Sequence, residues 1–538
     1  MRKRVLTVIA AALVLSMSRA WAEKYPERWV YLSQSLRDDE GAARGVQLLR
    51  DAKASGCTHV LFVSTRGHRL PKEPPAYVER VRKFQDEAKK LDMKIVVPAV
   101  ATGYCGRYLD VDSNLVAGVP VRNLAFIVKG KTAEPDPAQN LDVSLLKPQR
   151  HGKGVAGTLK CKPFTWYRMT YEIVPAQEGR IGSYCSISSN GHKRRHSRTE
   201  PAVKKTDEGR YIYQNVFNSL EAEEVLVDIY HNVHKLENVR IEPAGMLLII
   251  RRDRIPLTVT SEDGKTVYEE GRDFKPVVDP IVAVRPFPGE FPFDHPAPVL
   301  ELTENSRIRD GEKLLVSFWH HQRIGSDQDN LSLQEERVWP ILEKEIREMQ
   351  NLWHPEGFML NYDEIRVAMW EPPEPGEEKF TPGQKLAKHF RRAYDLTRRI
   401  APQAKIYTWS DMFTPHHNAR PFEKGGYYYL VNGTWDGAWE GLPRDVIILN
   451  WYSPKPEGMK FFSDRGHLQV LCGYYDGRNT DALKKNIHQW RTVAEGVPNV
   501  RGVMFTTWER RYPFMKEYFQ LLDTYDRWKG EIPAPAKK

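Results

Sequence analysis

Two hydrophobic rhythms run along this chain of 538 residues and divide it into three regions. From about residue 29 to 100, short apolar runs alternate with amphipathic stretches. Trp29-Val-Tyr-Leu-Ser33, His59-Val-Leu-Phe-Val-Ser64 and Lys94-Ile-Val-Val-Pro-Ala-Val100 read as strands. Between the first two, Ala43, Val46, Leu49 and Ala52 fall on one helical face, and Gly56 closes it. A second helix is predicted from about Pro75 to Leu91. Apolar strands that alternate with helices indicate a parallel sheet covered by helices.

The same rhythm returns after about residue 318. An amphipathic helix carrying Val338, Ile341, Leu342, Ile346 and Met349 leads into a strand at Phe358–Asn361, and a helix follows from Pro382 to Ile400. Strands are predicted at Lys405–Ser410, Val446–Trp451, Leu468–Cys472 and Gly502–Trp508. A helix at Asp481–Glu495 and a closing one to about Trp528 accompany them. Three strands before the middle region and five after it is the count of an α/β (β/α)8 barrel of the TIM type. That count leaves Leu314-Leu-Val-Ser-Phe318 to the middle region.

In the middle, from about Tyr108 to Ser317, the period falls to two. Short runs at Val121–Val128, Trp166–Val174, Ser183–Ser188, Tyr211–Phe217, Val225–Tyr230 and Met246–Ile250 are separated by turn signals such as Asn190-Gly191 and Asp263-Gly264. These predict a β-sandwich inserted between barrel strands 3 and 4. The proline-rich stretch from Pro286 to Pro298 reads as a covering strap. The expected organisation is therefore a signal peptide at 1–22, a first barrel segment with strands 1–3 at 23–107, the insert at 108–317 and a second barrel segment with strands 4–8 at 318–530. A disordered tail is expected at 531–538.

The first residues combine a basic Arg2-Lys3-Arg4, an apolar Val5–Met17 and small residues at Ala20 and Ala22, so cleavage after Ala22 and export to periplasm or medium are expected. The apolar run is too short for a comfortable membrane span, and no later run reaches that length. The chain carries +10, but residues 1–22 hold four bases and no acids, which leaves +6 on the remainder. That mild excess does not select a polyanionic partner. The basic run from His192 to Arg198 reads as a solvated hairpin loop, and no nucleic-acid partner is expected. Five cysteines, Cys57, Cys105, Cys161, Cys185 and Cys472, show no metal-like spacing, and no disulfide framework is predicted.

The chemistry concentrates at the predicted C-terminal ends of the barrel strands, where such barrels place their active sites. The fourth ends in two adjacent acids, Asp363 and Glu364, which would repel each other in a cleft, so that one keeps its proton near neutral pH. The fifth ends in Tyr407, Trp409 and Asp411, the sixth in Asn450, Trp451 and Tyr452, the seventh in Tyr474, Tyr475 and Asp476, and the eighth in Trp508, Glu509 and Arg510. Flat aromatic walls with a few carboxylates suit a sugar, whose C–H faces stack on rings and whose hydroxyls want acceptors. A bland reading makes some of these tryptophans rim packing, and Asp363-Glu364 a helix cap.

This pattern resembles glycoside hydrolase family 20, the β-N-acetylhexosaminidases. That family carries an Asp-Glu pair after its fourth barrel strand, which Asp363-Glu364 matches, and later-strand tryptophans that Trp409, Trp451 and Trp508 match. Its acetamido-binding tyrosine corresponds to Tyr474 or Tyr475, and its sugar-gripping arginine has Arg37 as a candidate. The family's His-x-Gly-Gly ahead of the acids is replaced here by Leu360-Asn361-Tyr362. The resemblance implies retaining, substrate-assisted hydrolysis without cofactor or metal, with Glu364 as general acid and Asp363 orienting the substrate's acetamido group.

Two alternatives stay open. One is a two-carboxylate glycosidase acting on a non-acetylated sugar, with Asp411, Asp476 or Glu509 facing Glu364. The other is a non-catalytic protein that binds an oligo- or polysaccharide. Glu509 reads equally as a member of a salt-bridged Trp-Glu-Arg-Arg turn. Adjacent histidines on a strand point to opposite faces, so His320-His321 and His416-His417 each offer one metal ligand at most. His321 is instead expected to reach the active-site rim from the insert.

Overall fold

The computed structural model describes residues 25–532, apart from 66–71, 150–153, 175–182, 190–193, 198–200, 232–234, 326–327, 453 and 477–478. The predicted cleavage segment lies outside the described residues, and so does the predicted tail from 533 on; Glu531 ends a short turn, Lys529–Glu531.

Eight parallel strands close a barrel: β1 (Glu27–Leu32), β2 (His59–Phe62), β3 (Lys94–Ala99), β4 (Gly357–Leu360), β5 (Lys405–Trp409), β6 (Ile447–Tyr452), β7 (Gln469–Gly473) and β8 (Val500–Phe505). β8 closes onto β1 with Trp29 opposite Met504, and β3 meets β4 directly with Ala99 opposite Leu360. The strand centres are apolar because both their faces are covered. Inside the barrel, Trp29, Leu61, Val96, Met359, Leu449 and Met504 belong to one packed cluster. Trp29 stacks on His59 with ring centroids 4.4 Å apart, and its indole N–H donates to Glu27. Burial pushes the His59 imidazole down to about 4, and the charges around this floor are paired, Glu27 with Arg501 and Glu356 with Lys405.

The outer layer holds α1 (Asp39–Ala54), α2 (Pro75–Lys90), α3 (Val338–Trp353), α4 (Pro382–Ile400), α5 (Pro456–Asp464), α6 (Thr480–Ala494) and α7 (Met515–Asp523). Local chemistry sets their starts. The Asp38 carboxylate accepts from Gly41 N, and Thr381 with Gln384 forms a reciprocal capping box. Helix α5 has no counterpart in the sequence reading. Its nine residues carry few apolar positions, and the pattern there is obscured by Pro454 and Pro456, although a proline in the first turn favours a helix start.

The chain between β3 and β4 folds into three antiparallel sheets. One has five strands, ordered Arg194–Ser197, Ser183–Ser189, Glu224–His231, Gly154–Lys160 and Lys147–Pro148. Another has four, ordered Ala202–Lys205, Tyr211–Asn218, Trp166–Val174 and Lys235–Pro243. These two share an apolar core that includes Tyr167, Tyr171, Ile187, Phe217, Val227 and Ile229. Cys185 lies within that core and Cys161 beside it, both as free thiols. The third sheet is built on Gly118–Lys129 paired with Lys313–His321, and its inner face joins the hydrophobic cluster of the barrel's outer layer. Gly118 lies opposite His321, so the insert leaves and re-enters the barrel at one place.

One detail of the middle region differs from the sequence reading. Arg194–Ser197 is a strand within the five-stranded sheet, not a solvated loop, because alternation turns Arg194 and His196 inward. There His196 bonds Ser189 and the Asn218 carbonyl, while Arg194 donates to the Val431 carbonyl and pairs with Glu221. The proline-rich segment does lie as a strap, held by buried Phe287, Phe291 and Phe293. Among the described residues, no helix is long and apolar enough to cross a membrane.

The join between β4 and β5 has no spare room. A Cβ on Gly357 would sit 2.4 Å from the Lys405 carbonyl oxygen and 2.7 Å from the Tyr407 ring. Gly357→Ala is expected to destabilise the barrel by about 1–3 kcal/mol. Thermal unfolding checks this, and an unchanged Tm would mean that the two strands can separate without cost.

Candidate active site

The C-terminal ends of the barrel strands open into a pocket of about 770 Å³. Its walls include Tyr31 near the end of β1, Tyr104 and Arg107 beyond β3, Asn361 and Asp363 beyond β4, Trp409 at the end of β5 and Trp508 beyond β8. The insert and its return segment add Tyr184 and Gln328. Three rings stand in a stack along one side: Tyr31 on Trp508 at 4.5 Å, and Trp508 on Trp451 at 4.6 Å with planes 5° apart. Trp409 tilts against Trp451 at 5.9 Å, and its indole N–H donates to Asn361 Oδ1 at 3.1 Å.

The segment after β4 is held in a demanding conformation. Glu364 has φ +46°, a left-handed backbone that costs a side-chain-bearing residue energy. Surrounding bonds fix it. Glu364 N donates to Asp411 Oδ2 at 3.3 Å, and Asn330 Oδ1 accepts from both Arg366 N and Val367 N. Asn330 also donates to the Gly103 carbonyl, which ties the β3 loop to the β4 loop. Gly103 packs so close that a Cβ there would fall 1.7 Å from the Asp363 carbonyl oxygen.

The three carboxyls in this corner have distinct surroundings. Asp363 lines the pocket, and its buried Oδ1 has no hydrogen-bond partner among the described residues. Burial, then the charges of Asp411 and Glu364, pushes its carboxyl well above the usual range. Asp411 is fully buried beneath Glu364. Burial and then the Glu364 charge push it up to about 7, against the bond from Asn418 to Oδ2 at 3.0 Å. Glu364 is the well-partnered member. Arg366 donates to its Oε1 at 3.0 Å, while Tyr104 O–H and Gln328 Nε2 both donate to Oε2. Burial and the charges of Asp363 and Glu364 raise the Tyr104 phenol, so that it stays a donor.

A buried carboxylate sustains the neighbouring wall. Glu345 on α3 has no exposed surface, yet it accepts from Val100 N at 3.0 Å, from Tyr108 O–H at 2.6 Å and from Arg107 Nη1 at 2.9 Å. That set satisfies a charge that would be costly alone, and it fixes the Arg107 guanidinium at the pocket.

Other residues singled out from sequence lie elsewhere. Tyr475 packs outward against Phe505 and Tyr518, because it follows β7 on the face turned to the helices. Arg37 is exposed beside α1 and does not line the pocket. His321 is buried in the insert, 3.0 Å from Asp329 and against Phe291, and it also does not line the pocket. Tyr452 and Tyr474 are exposed at the rim, 5.0 and 6.2 Å from the Trp451 ring. Asp476 is engaged with backbone, accepting from Trp508 N at 2.9 Å and Glu509 N at 3.1 Å. Glu509 pairs with Arg511. Sequence reasoning missed Tyr31, Tyr104, Arg107, Gln328 and Arg366 as pocket residues. Tyr31 and Arg366 carried a signal in their nearness to strand ends, whereas Tyr104 and Gln328 sit in loops with no periodicity to read and Arg107 in a single helical turn, Gly106–Leu109, too short to show one.

No protein-family model matches this chain, and no curated protein sequence does. Among solved structures it is similar to the rhamnosidase from Novosphingobium sp. PP1Y, at 11% identity over 94% of this chain and 60% of that one, with a TM-score of 0.36. The chain thus spans 60% of that rhamnosidase's length. It is also similar to a glycoside hydrolase family 20 module of the pneumococcal exo-β-D-N-acetylglucosaminidase StrH, at 8% identity over 95% of this chain and 86% of that one, TM-score 0.39. A third is the β-N-acetylhexosaminidase from Bacteroides fragilis, at 13% identity over 38% and 45% of the two chains, TM-score 0.27. Likeness this distant transfers no chemistry to this chain.

The raised Asp411 carboxyl has a consequence for stability. The folded state keeps this proton up to about pH 7, and the unfolded chain loses it near pH 4, roughly the ordinary aspartate value. Between those values the folded state binds more protons, so Asp411 makes stability fall as pH rises from about 4 to 7, with no further loss above. Asp411→Asn is expected to remove this slope and to raise stability at pH 8 by up to about 4 kcal/mol. The asparagine Oδ1 can take both bonds now made to Oδ2, and its amide fills the place of the partnerless Oδ1. Denaturant unfolding of both proteins across pH 4–8 checks this, and parallel curves would refute it.

Proposed function

We propose that this protein is an exported glycoside hydrolase that cleaves with retention, assisted by the N-acetyl group of a hexosamine-containing glycan. The observation that carries the reading is how the carboxyls at the strand ends are occupied. Asp411 is buried under the Glu364 backbone, Asp476 holds the Trp508 and Glu509 amides, and Glu509 pairs with Arg511. Each candidate for a separate enzymatic nucleophile is engaged elsewhere, while Asp363 lines the pocket with an oxygen that lacks a partner.

In this proposal the pyranose stacks within the Tyr31, Trp508 and Trp409 walls. Burial and neighbouring charge favour the protonated forms of Asp363 and Asp411, which stand beside Glu364. Glu364 passes a proton to the glycosidic oxygen as the acetamido oxygen attacks the anomeric carbon, and the bond to the leaving group breaks. Asp363 accepts from the acetamido N–H. That contact supplies its missing hydrogen-bond partner and favours its charged form as positive charge builds on the cyclic intermediate. Water then opens the intermediate at the same carbon and returns its proton to Glu364. Two inversions give retention. The two facing sheets of the insert are read as a β-sandwich that brings Tyr184 to the pocket. Export rests on the basic and apolar pattern of residues 1–22.

Hydrolysis of aryl glycosides that pair N-acetylated sugars with their plain counterparts tests the reading. Turnover is expected for N-acetylated substrates, falling by about 10²-fold or more in Glu364→Gln and strongly in Asp363→Asn. Activity on plain sugars that survives Asp363→Asn would refute substrate assistance. Glycan binding without turnover of any substrate in the panel would favour the non-catalytic sugar-binding alternative.

A further inference from the structure

A second cavity, of about 460 Å³, opens on the same barrel face as the acid pocket. It is bounded by the loop after β5 and the segment that joins β6 to α5. Its lining brings together His416, Arg420, Lys424 and Lys455, and Glu457 is the one carboxylate among the lining residues. Among the described residues, no carboxylate is ion-paired with Arg420, Lys424 or Lys455. Elsewhere on this protein cations are commonly matched at close range, as in Arg398–Asp445, Arg392–Glu336 and Lys460–Asp464. Bases that outnumber the counter-charge in a concavity, here Arg420, Lys424 and Lys455 against Glu457, raise the local potential and concentrate anions. The cost is visible within the cluster. Burial, then the charge of Arg420, lowers the Lys455 ammonium, and burial together with Lys424, Arg420 and Lys455 outweighs Glu457 in lowering His416.

A path of rings links this cavity to the acid pocket. From Trp508, 44% exposed, the stack passes to Trp451, then to Tyr452 at 5.0 Å, which is 46% exposed. The His417 ring lies 6.0 Å beyond, and its neighbour His416 lines the cationic cavity. The exposed Tyr452 ring offers a stacking face for a sugar between the two, whereas the cavity beyond it offers positive charge. A neutral glycan would have no use for it.

We propose that the cavity lined by His416, Arg420, Lys424 and Lys455 is a subsite for an anionic substituent, a sulfate ester or a uronate carboxylate, on the glycan whose other end enters the acid pocket. The inference deepens the hydrolase reading by naming an acidic glycan as its substrate class. Arg420 supplies a planar fork suited to either oxyanion, and the lysines supply point charges.

Equilibrium binding tests it with three oligosaccharides of one length: a sulfated one, a uronate-containing one and their neutral parent. The Glu364→Gln background prevents turnover. At least one anionic ligand is expected to bind tenfold or more tighter than the neutral parent, with an advantage that shrinks as salt is raised. Arg420→Ala/Lys455→Ala should abolish the advantage, and whichever anion wins identifies the substituent. Lys129→Ala/Lys265→Ala, at exposed positions in the insert, should retain it. Lys424→Ala provides a second probe if the double variant fails to fold. Equal binding of all three ligands overturns the proposal. So does an advantage that survives the cavity variants, or one lost equally in the insert control. Binding needs no catalysis, so its outcome is separate from that of the hydrolase reading.

Discussion

Three carboxyl groups share one corner at the end of β4, and they cannot all be charged in so little water. Asp411 is sealed from solvent under the Glu364 backbone, Asp363 has a buried oxygen without a partner, and Glu364 collects Arg366, Tyr104 and Gln328. Much of the surrounding structure follows from containing that repulsion. Asn330 stitches the β3 loop to the β4 loop, the left-handed Glu364 aims the pair, and Gly103 leaves room for the Asp363 carbonyl. A corner with this much proton affinity has protons to give at neutral pH, which is what acid catalysis needs.

The supports form a chain of dependence that reaches far from the pocket. Glu345 is buried in α3, and its three partners fix Arg107, Tyr108 and the turn at Val100. Asp476 lies outside the pocket surface, yet it holds the amides that carry the Trp508 ring to its place beside Tyr31. Buried acids thus do two kinds of work here. Some are satisfied by several donors and serve as anchors, as Glu345 and Asp476 do. Others are left under-satisfied beside one another and remain able to exchange a proton, as Asp363 and Asp411 are. The difference lies in the number of donors within reach, not in the residue type.

The insert is tied to this site by the pairing of its own ends. Gly118–Lys129 runs against Lys313–His321, so the excursion between β3 and β4 returns beside the place it left. The return segment then brings Gln328 onto Glu364, and the five-stranded sheet contributes Tyr184 to the pocket wall. Loops inserted after barrel strands build the mouth of such barrels, and here one insertion supplies both a wall and a direct partner to a central carboxylate.

The barrel was legible in the sequence because its signal is local. Eight apolar runs of the right length, with helical patterns between most of them, mark the strands to within a few residues, and the acids and tryptophans stand where those runs end. The missing helix, α5, lay in a stretch where prolines and few apolar residues gave no period. What the sequence could not decide was direction and company. Tyr474 and Tyr475 are adjacent, yet one lies at the rim and the other faces the helix layer, a difference that depends on where β7 ends. Arg37 and Arg107 are both arginines near strand ends, but only the second has a buried acid to steer it. Tyr104, Gln328 and Arg366 meet at Glu364 from three separate loops, and the cations of the second cavity come from two. Periodicity reports which face of an element is buried. Which loops converge on one point, and so which charges are matched and which are left over, was decided by barrel closure and by the insert's return.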